Sequence, residues 1–131
     1  MSVEKFIESI NKSYTISGAS IYLGAGIYQG TINAQAKVNL PLRMMNRHGL
    51  VTGATGSGKT RTLQLLAEQL SAAGVPVFMP DMKGDISGMA KEGLVNDKIN
   101  ERANALGITY TPSGYPVELY SLSGKVGAQM R

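Results

Sequence analysis

The 131-residue sequence predicts an α/β fold: an incomplete parallel sheet built around a phosphate loop, preceded by a short helix and a small β-rich leader. Three observations predict it. Short apolar runs alternate with helical periodicity from His48 onward, the pattern of strand–helix–strand–helix–strand. A glycine-rich loop falls between the first such run and the first helix. The first 46 residues have a different texture, with apolar stretches broken by glycines. Two regions are therefore expected: a leader over residues 1–46, and the N-terminal part of the main domain over 47–131.

In residues 1–13, Val3, Phe6, Ile7 and Ile10 fall at helical spacing, and Glu8 and Lys12 form a favourable i,i+4 pair. Glu4, Lys5, Glu8 and Lys12 interrupt every apolar stretch that a signal peptide would need. Residues 16–42 read as two or three short strands with turns at Gly24, Gly26 and Gly30, ending in the run Val38, Asn39, Leu40, Pro41, Leu42. Leu50, Val51 and Thr52 then form a buried-strand candidate. A helix over residues 59–73 is expected to turn Leu63, Leu66, Ala67 and Leu70 inward, with Gly74 as its C-terminal cap. Residues 75–79 read as a second strand ending at Asp81. A helix over 96–106 buries Ile99, Ala103 and Leu106 and stops at Gly107, and residues 117–120 make a third strand candidate.

Composition narrows the chemistry. Hydrophobic residues at 43% and charged residues at 17% describe a folded chain. No apolar run approaches the roughly 18 residues of a membrane span. The absence of cysteine excludes disulfides, thiolate zinc sites and cysteine nucleophiles, and together these features point to the cytoplasm. The net charge of +4 suits a polyanionic partner, but the thirteen Lys and Arg are scattered, so on charge alone a solvated basic surface is the favoured account.

Gly53, Ala54, Thr55, Gly56, Ser57, Gly58, Lys59 and Thr60 satisfy G-x-x-x-x-G-K-[ST] at every fixed position. A polyphosphate needs many donors converging on a small volume, which backbone N–H groups supply where glycines let the chain curl inward. Lys59 is the expected catalytic cation, set against the β- and γ-phosphates. The Thr60 hydroxyl is the expected ligand to nucleotide-bound Mg²⁺, and Arg61 completes the binding set in the first helical turn. The N-terminal dipole of that helix favours the same anion. ATP is expected rather than GTP, since Asn11-Lys12 is followed by Ser13-Tyr14 and not by the guanine-reading N-K-x-D. Asp81 admits three functional readings: a metal-holding Walker B acid, the start of a GTPase-like D-x-x-G switch, or an acceptor-binding acid of a small-molecule kinase. The switch is disfavoured because helix and strand leave no effector loop between Lys59 and Asp81. Beside these stands the plain reading of a structural acid capping the strand or the next turn.

The run from Asn46, Arg47, His48 and Gly49 through Thr60, continued by Thr62, Leu63 and Gln64, resembles ATPases of the HerA/FtsK type, in particular bacterial HerA-like helicases of the YjgR branch. Residues 74–78 and the pattern Asp81-x-Lys83-Gly84-Asp85 resemble the same branch. The resemblance covers residues 40–90 best. It implies a RecA-like sheet, ATP-driven movement on DNA, and assembly of the full protein as a homo-oligomeric ring. It assigns no role to Arg47 or His48. No apolar run after Asp85 ends in an acidic pair, so the sequence reads as the N-terminal portion only of such an ATPase, lacking Walker B and the water-activating glutamate. A P-loop small-molecule kinase and a nucleotide-binding fragment without hydrolysis are the competing expectations.

Overall fold

The structure, a computed structural model, describes residues 1–125 and 127–130. Its N-terminal helix α1 spans Val3–Tyr14. Ser2 caps it by accepting from the Lys5 amide, while Glu4 in the first turn and Lys12 in the last complement the helix dipole. One face of α1 packs on the hairpin that follows, where Phe6 stacks on Tyr28 with ring centroids 5.2 Å apart. Gly26 makes that contact possible: a Cβ there would stand 2.9 Å from the Phe6 ring and 3.2 Å from the Ala36 methyl.

Strands β1 (Ser20–Tyr28) and β2 (Thr31–Pro41) form an antiparallel hairpin. Two residues with positive φ, Gln29 at 48° and Gly30 at 78°, close it in the sense that matches strand twist. Register shifts between Tyr22 and Gly24 and between Ala25 and Gly26 bend β1. Residues 16–42 thus hold two strands longer than the sequence suggested, with the Val38–Leu42 run lying mostly inside β2. Ile21 and Ala36, nearly inaccessible to water, mark the centre of the core.

Helix α2 (Lys59–Ala72) contacts β1, and helix α3 (Asp97–Leu106) contacts β2. Gln69 of α2 clamps β1: its Oε1 accepts from the Tyr22 amide and its Nε2 donates to the Tyr22 carbonyl, both at 2.8 Å. The carboxamide thereby replaces a neighbouring strand's peptide group along the free edge of β1. Gly74, with φ of 78°, ends α2 in the left-handed conformation, and the Val75 amide returns to the Leu70 carbonyl at 2.9 Å. Asn96 caps α3 through the Ile99 amide at 2.9 Å, and Gly107, with φ of 65°, closes it. Ala103 is buried, as the periodicity requires, with Ile99 and Leu106 half-buried. On α2 the buried positions are Gln64 and Ala67, whereas Leu63 is 42% exposed, so the buried face is rotated from the expected one.

The expected parallel sheet is corrected by the structure. Two two-stranded sheets are present among the described residues: the β1–β2 hairpin and a parallel pair of two-residue strands, β3 (Tyr120–Ser121) and β4 (Ala128–Gln129). With three helices they make a small mixed α/β domain and not a RecA-like sheet. Residues 50–52 and 75–79 are not strands, because a strand requires a hydrogen-bonded neighbour and neither run joins a ladder. Leu50 is consequently 87% exposed and Phe78 75%. The accessible surface, 10240 Å², is well above the roughly 6,700 Å² expected for a compact chain of this mass. No helix among the described residues is long and apolar enough to cross a membrane.

Candidate anion-binding loop

Residues 53–58 form an exposed loop leading directly into α2. Its shape depends on glycine at three positions with positive φ: Gly53 at 158°, Gly56 at 81° and Gly58 at 92°. At Gly53 a Cβ would also stand 2.5 Å from the Ser57 hydroxyl oxygen and 3.3 Å from Ser57 Cβ, so the Ser57 side chain would have to turn away on top of the strain of the positive φ. The Ser57 amide donates to the Ala54 carbonyl at 3.2 Å and closes the turn that holds Thr55 and Gly56 at its tip. Gly58 occupies the N-cap of α2, and no side chain caps the helix there. The dipole of a 14-residue helix therefore opens toward the loop, with N–H groups that no side chain engages.

Lys59 folds back over the loop, and its Nζ donates to the Ala54 carbonyl at 2.7 Å. A neutral carbonyl partner leaves the ammonium charge uncompensated at the loop. Thr60 is exposed in the first turn. Arg61 Nη1 donates to the Gln64 Oε1 at 2.9 Å, again a neutral acceptor. Burial pushes the Glu68 carboxyl up, and the Arg61 charge pulls it back down. The structure thus brings Gly53, Ala54, Thr55, Gly56, Ser57, Gly58, Lys59, Thr60 and Arg61 together as one loop and helical turn.

Arg47 and His48 lie apart in an exposed connection, where the Arg47 amide donates to the Met44 carbonyl at 3.1 Å. Asp81 ends no strand. Its carboxylate accepts from the Lys83 amide at 3.1 Å, the Gly84 amide at 2.8 Å and the Ile86 amide at 2.9 Å. These bonds, with the one from Ile86 contributing most, hold the carboxyl below the usual carboxylate range. Of the readings of this acid, the structural one describes its contacts. Sequence reasoning missed Gln64, whose Nε2 donates to the Asp85 carbonyl at 2.9 Å. The available signal was a polar residue one turn from Ala67, which a purely apolar reading of the helix face passes over.

The family model described as helicase HerA-like C-terminal matches residues 27–131. No curated protein and no solved structure matches the chain. The family match overturns the assignment to an N-terminal portion of a HerA-type ATPase, because the matched region is the C-terminal one. The expected role as the ATP-binding front part of a translocase is corrected with it, as are ATP and Mg²⁺ as cofactors and the kinase and nucleotide-fragment alternatives. Since the match covers most of the sequence, the chain belongs to the helicase HerA-like C-terminal family.

Proposed function

We propose that residues 53–61 bind a phosphoryl oxyanion within a domain that works beside DNA, as part of a cytoplasmic homo-oligomeric assembly. The observation that carries this reading is the Lys59 ammonium, held by the neutral Ala54 carbonyl over a glycine loop that leads into an uncapped helix N-terminus. Each part favours negative charge: the dipole, the free amides and the cation. In this reading Lys59 is the principal charge, Thr60 supplies a hydroxyl donor, and Arg61 adds a second cation. The glycines at 53, 56 and 58 allow close approach of the backbone to the anion. Family membership is consistent with DNA as a partner and with ring assembly.

Calorimetric titration with inorganic pyrophosphate tests the site. Lys59→Ala should lower affinity about tenfold or more, the usual loss for a charge-assisted contact. The helix content should be unchanged, because the loop is shaped by glycine backbone. Equal affinity in the two proteins would remove Lys59 from the site and sink the proposal.

A further inference from the structure

Gln64 is 7% exposed and is the buried polar residue of the described core. Both ends of its carboxamide are engaged, by Arg61 at the oxygen and by the Asp85 carbonyl at the nitrogen, each at 2.9 Å. Chemistry fixes this orientation: a flipped amide would set its NH₂ against a guanidinium and its oxygen against a carbonyl. The Asp85 carbonyl belongs to a loop that is itself organised. Asp81 gathers the amides of Lys83, Gly84 and Ile86, Gly84 turns the chain at φ of 80°, and the Ser87 hydroxyl donates to the Gly84 carbonyl at 3.1 Å. Thr60, Arg61, Gln64 and Asp85 line a polar cavity of about 240 Å³ beside the first turn of α2.

From this arrangement we infer that residues 81–86 form a second wall of the anion site, and that Gln64 is the positioning residue holding both that wall and the Arg61 guanidinium beside Thr60. The inference rests on the reading of residues 53–61 as an anion site. Gln64 reaches the anion through Arg61, not by contact. A guanidinium tethered by a neutral amide keeps its full charge and loses little conformational freedom when a phosphoryl group arrives. The Asp85 carbonyl couples the tether to the loop, so occupancy of residues 53–61 is transmitted to residues 81–86.

The test uses the full chain with pyrophosphate as the probe, reading affinity by calorimetry and amide exchange at Lys83, Gly84 and Ile86. In the unsubstituted protein, pyrophosphate should raise protection at those three amides. Gln64→Ala should bind about two- to tenfold more weakly, as loss of one or two hydrogen bonds implies, and the ligand-dependent protection should disappear. Gln64→Glu keeps the Arg61 contact but sets a carboxylate against the Asp85 carbonyl, so it too should lose the protection change. Asp81→Asn, outside α2 in sequence, gives a second handle on the wall itself: it should weaken pyrophosphate binding and abolish the protection change while the helix content stays the same. Unchanged affinity and protection in Gln64→Ala would overturn the inference, as would pyrophosphate binding without any response at residues 83–86. Absence of pyrophosphate binding, with Lys59→Ala indistinguishable, would instead remove the anion site itself and the inference with it.

Discussion

Replacing Gln69 with Ala removes the clamp between α2 and the hairpin, and the structure sets the size of the loss. Two hydrogen bonds of 2.8 Å disappear, orphaning the Tyr22 amide and carbonyl on the edge of β1. Each such bond contributes about 0.5–1.5 kcal/mol net. Tyr22 is only half-buried, so water recovers part of the loss, and a total of about 1–2 kcal/mol is expected. For a chain of this length that lowers Tm by roughly 3–8 °C. Urea unfolding followed by far-UV circular dichroism measures the change directly. Gln69→Glu sharpens the test, since its carboxylate can accept from the Tyr22 amide but repels the Tyr22 carbonyl. That variant should be destabilised at neutral pH and recover partly below about pH 4.3, where a protonated acid can donate again. A loss smaller than about 0.3 kcal/mol in Gln69→Ala, with no pH dependence in Gln69→Glu, would show that the clamp does not hold α2 to the sheet.

Asn96→Ala removes the side-chain cap of α3 and should cost about 1 kcal/mol, read as a lower urea midpoint with lost helical ellipticity. The Asp81 carboxyl is held below its ordinary value by backbone amides, so the order it gives to residues 81–86 is complete above the unfolded value of about 3.9. That order should be lost as pH falls through the lower folded value. Amide shifts of Lys83, Gly84 and Ile86 should therefore move together in acid below about pH 4, and independent movement of the three would contradict a shared carboxylate.

The helices and the hairpin were legible in the sequence because their signals are local. Caps at Asn96 and Gly107, the left-handed stop at Gly74 and the glycines of the 53–58 loop each act within a few residues. The sheet was not legible for the opposite reason. The apolar runs at 50–52 and 75–79 carry strand-like composition, but a strand is a relation between segments, and composition does not name the partner. The rotated face of α2 has a similar cause. Gln64 and Gln69 are drawn inward by acceptors and donors 21 and 47 residues away, which helical periodicity does not register. Asp81 read as a strand-ending acid because it follows an apolar run; its role is set by the amides just beyond it.

The Gln69 clamp also gives α2 the mechanics of a cantilever. The clamp grips the helix ten residues beyond Lys59, about 15 Å along its axis at 1.5 Å per residue. Gln64 gives a second bearing roughly 7.5 Å from Lys59, halfway along the overhang. With the clamp alone, a tilt of about 4° would carry the loop end sideways by about 1 Å, enough to misalign converging donors. The intermediate bearing shortens the free arm by half and halves that excursion. Two glutamines, neither touching the loop, thereby set how still it is held.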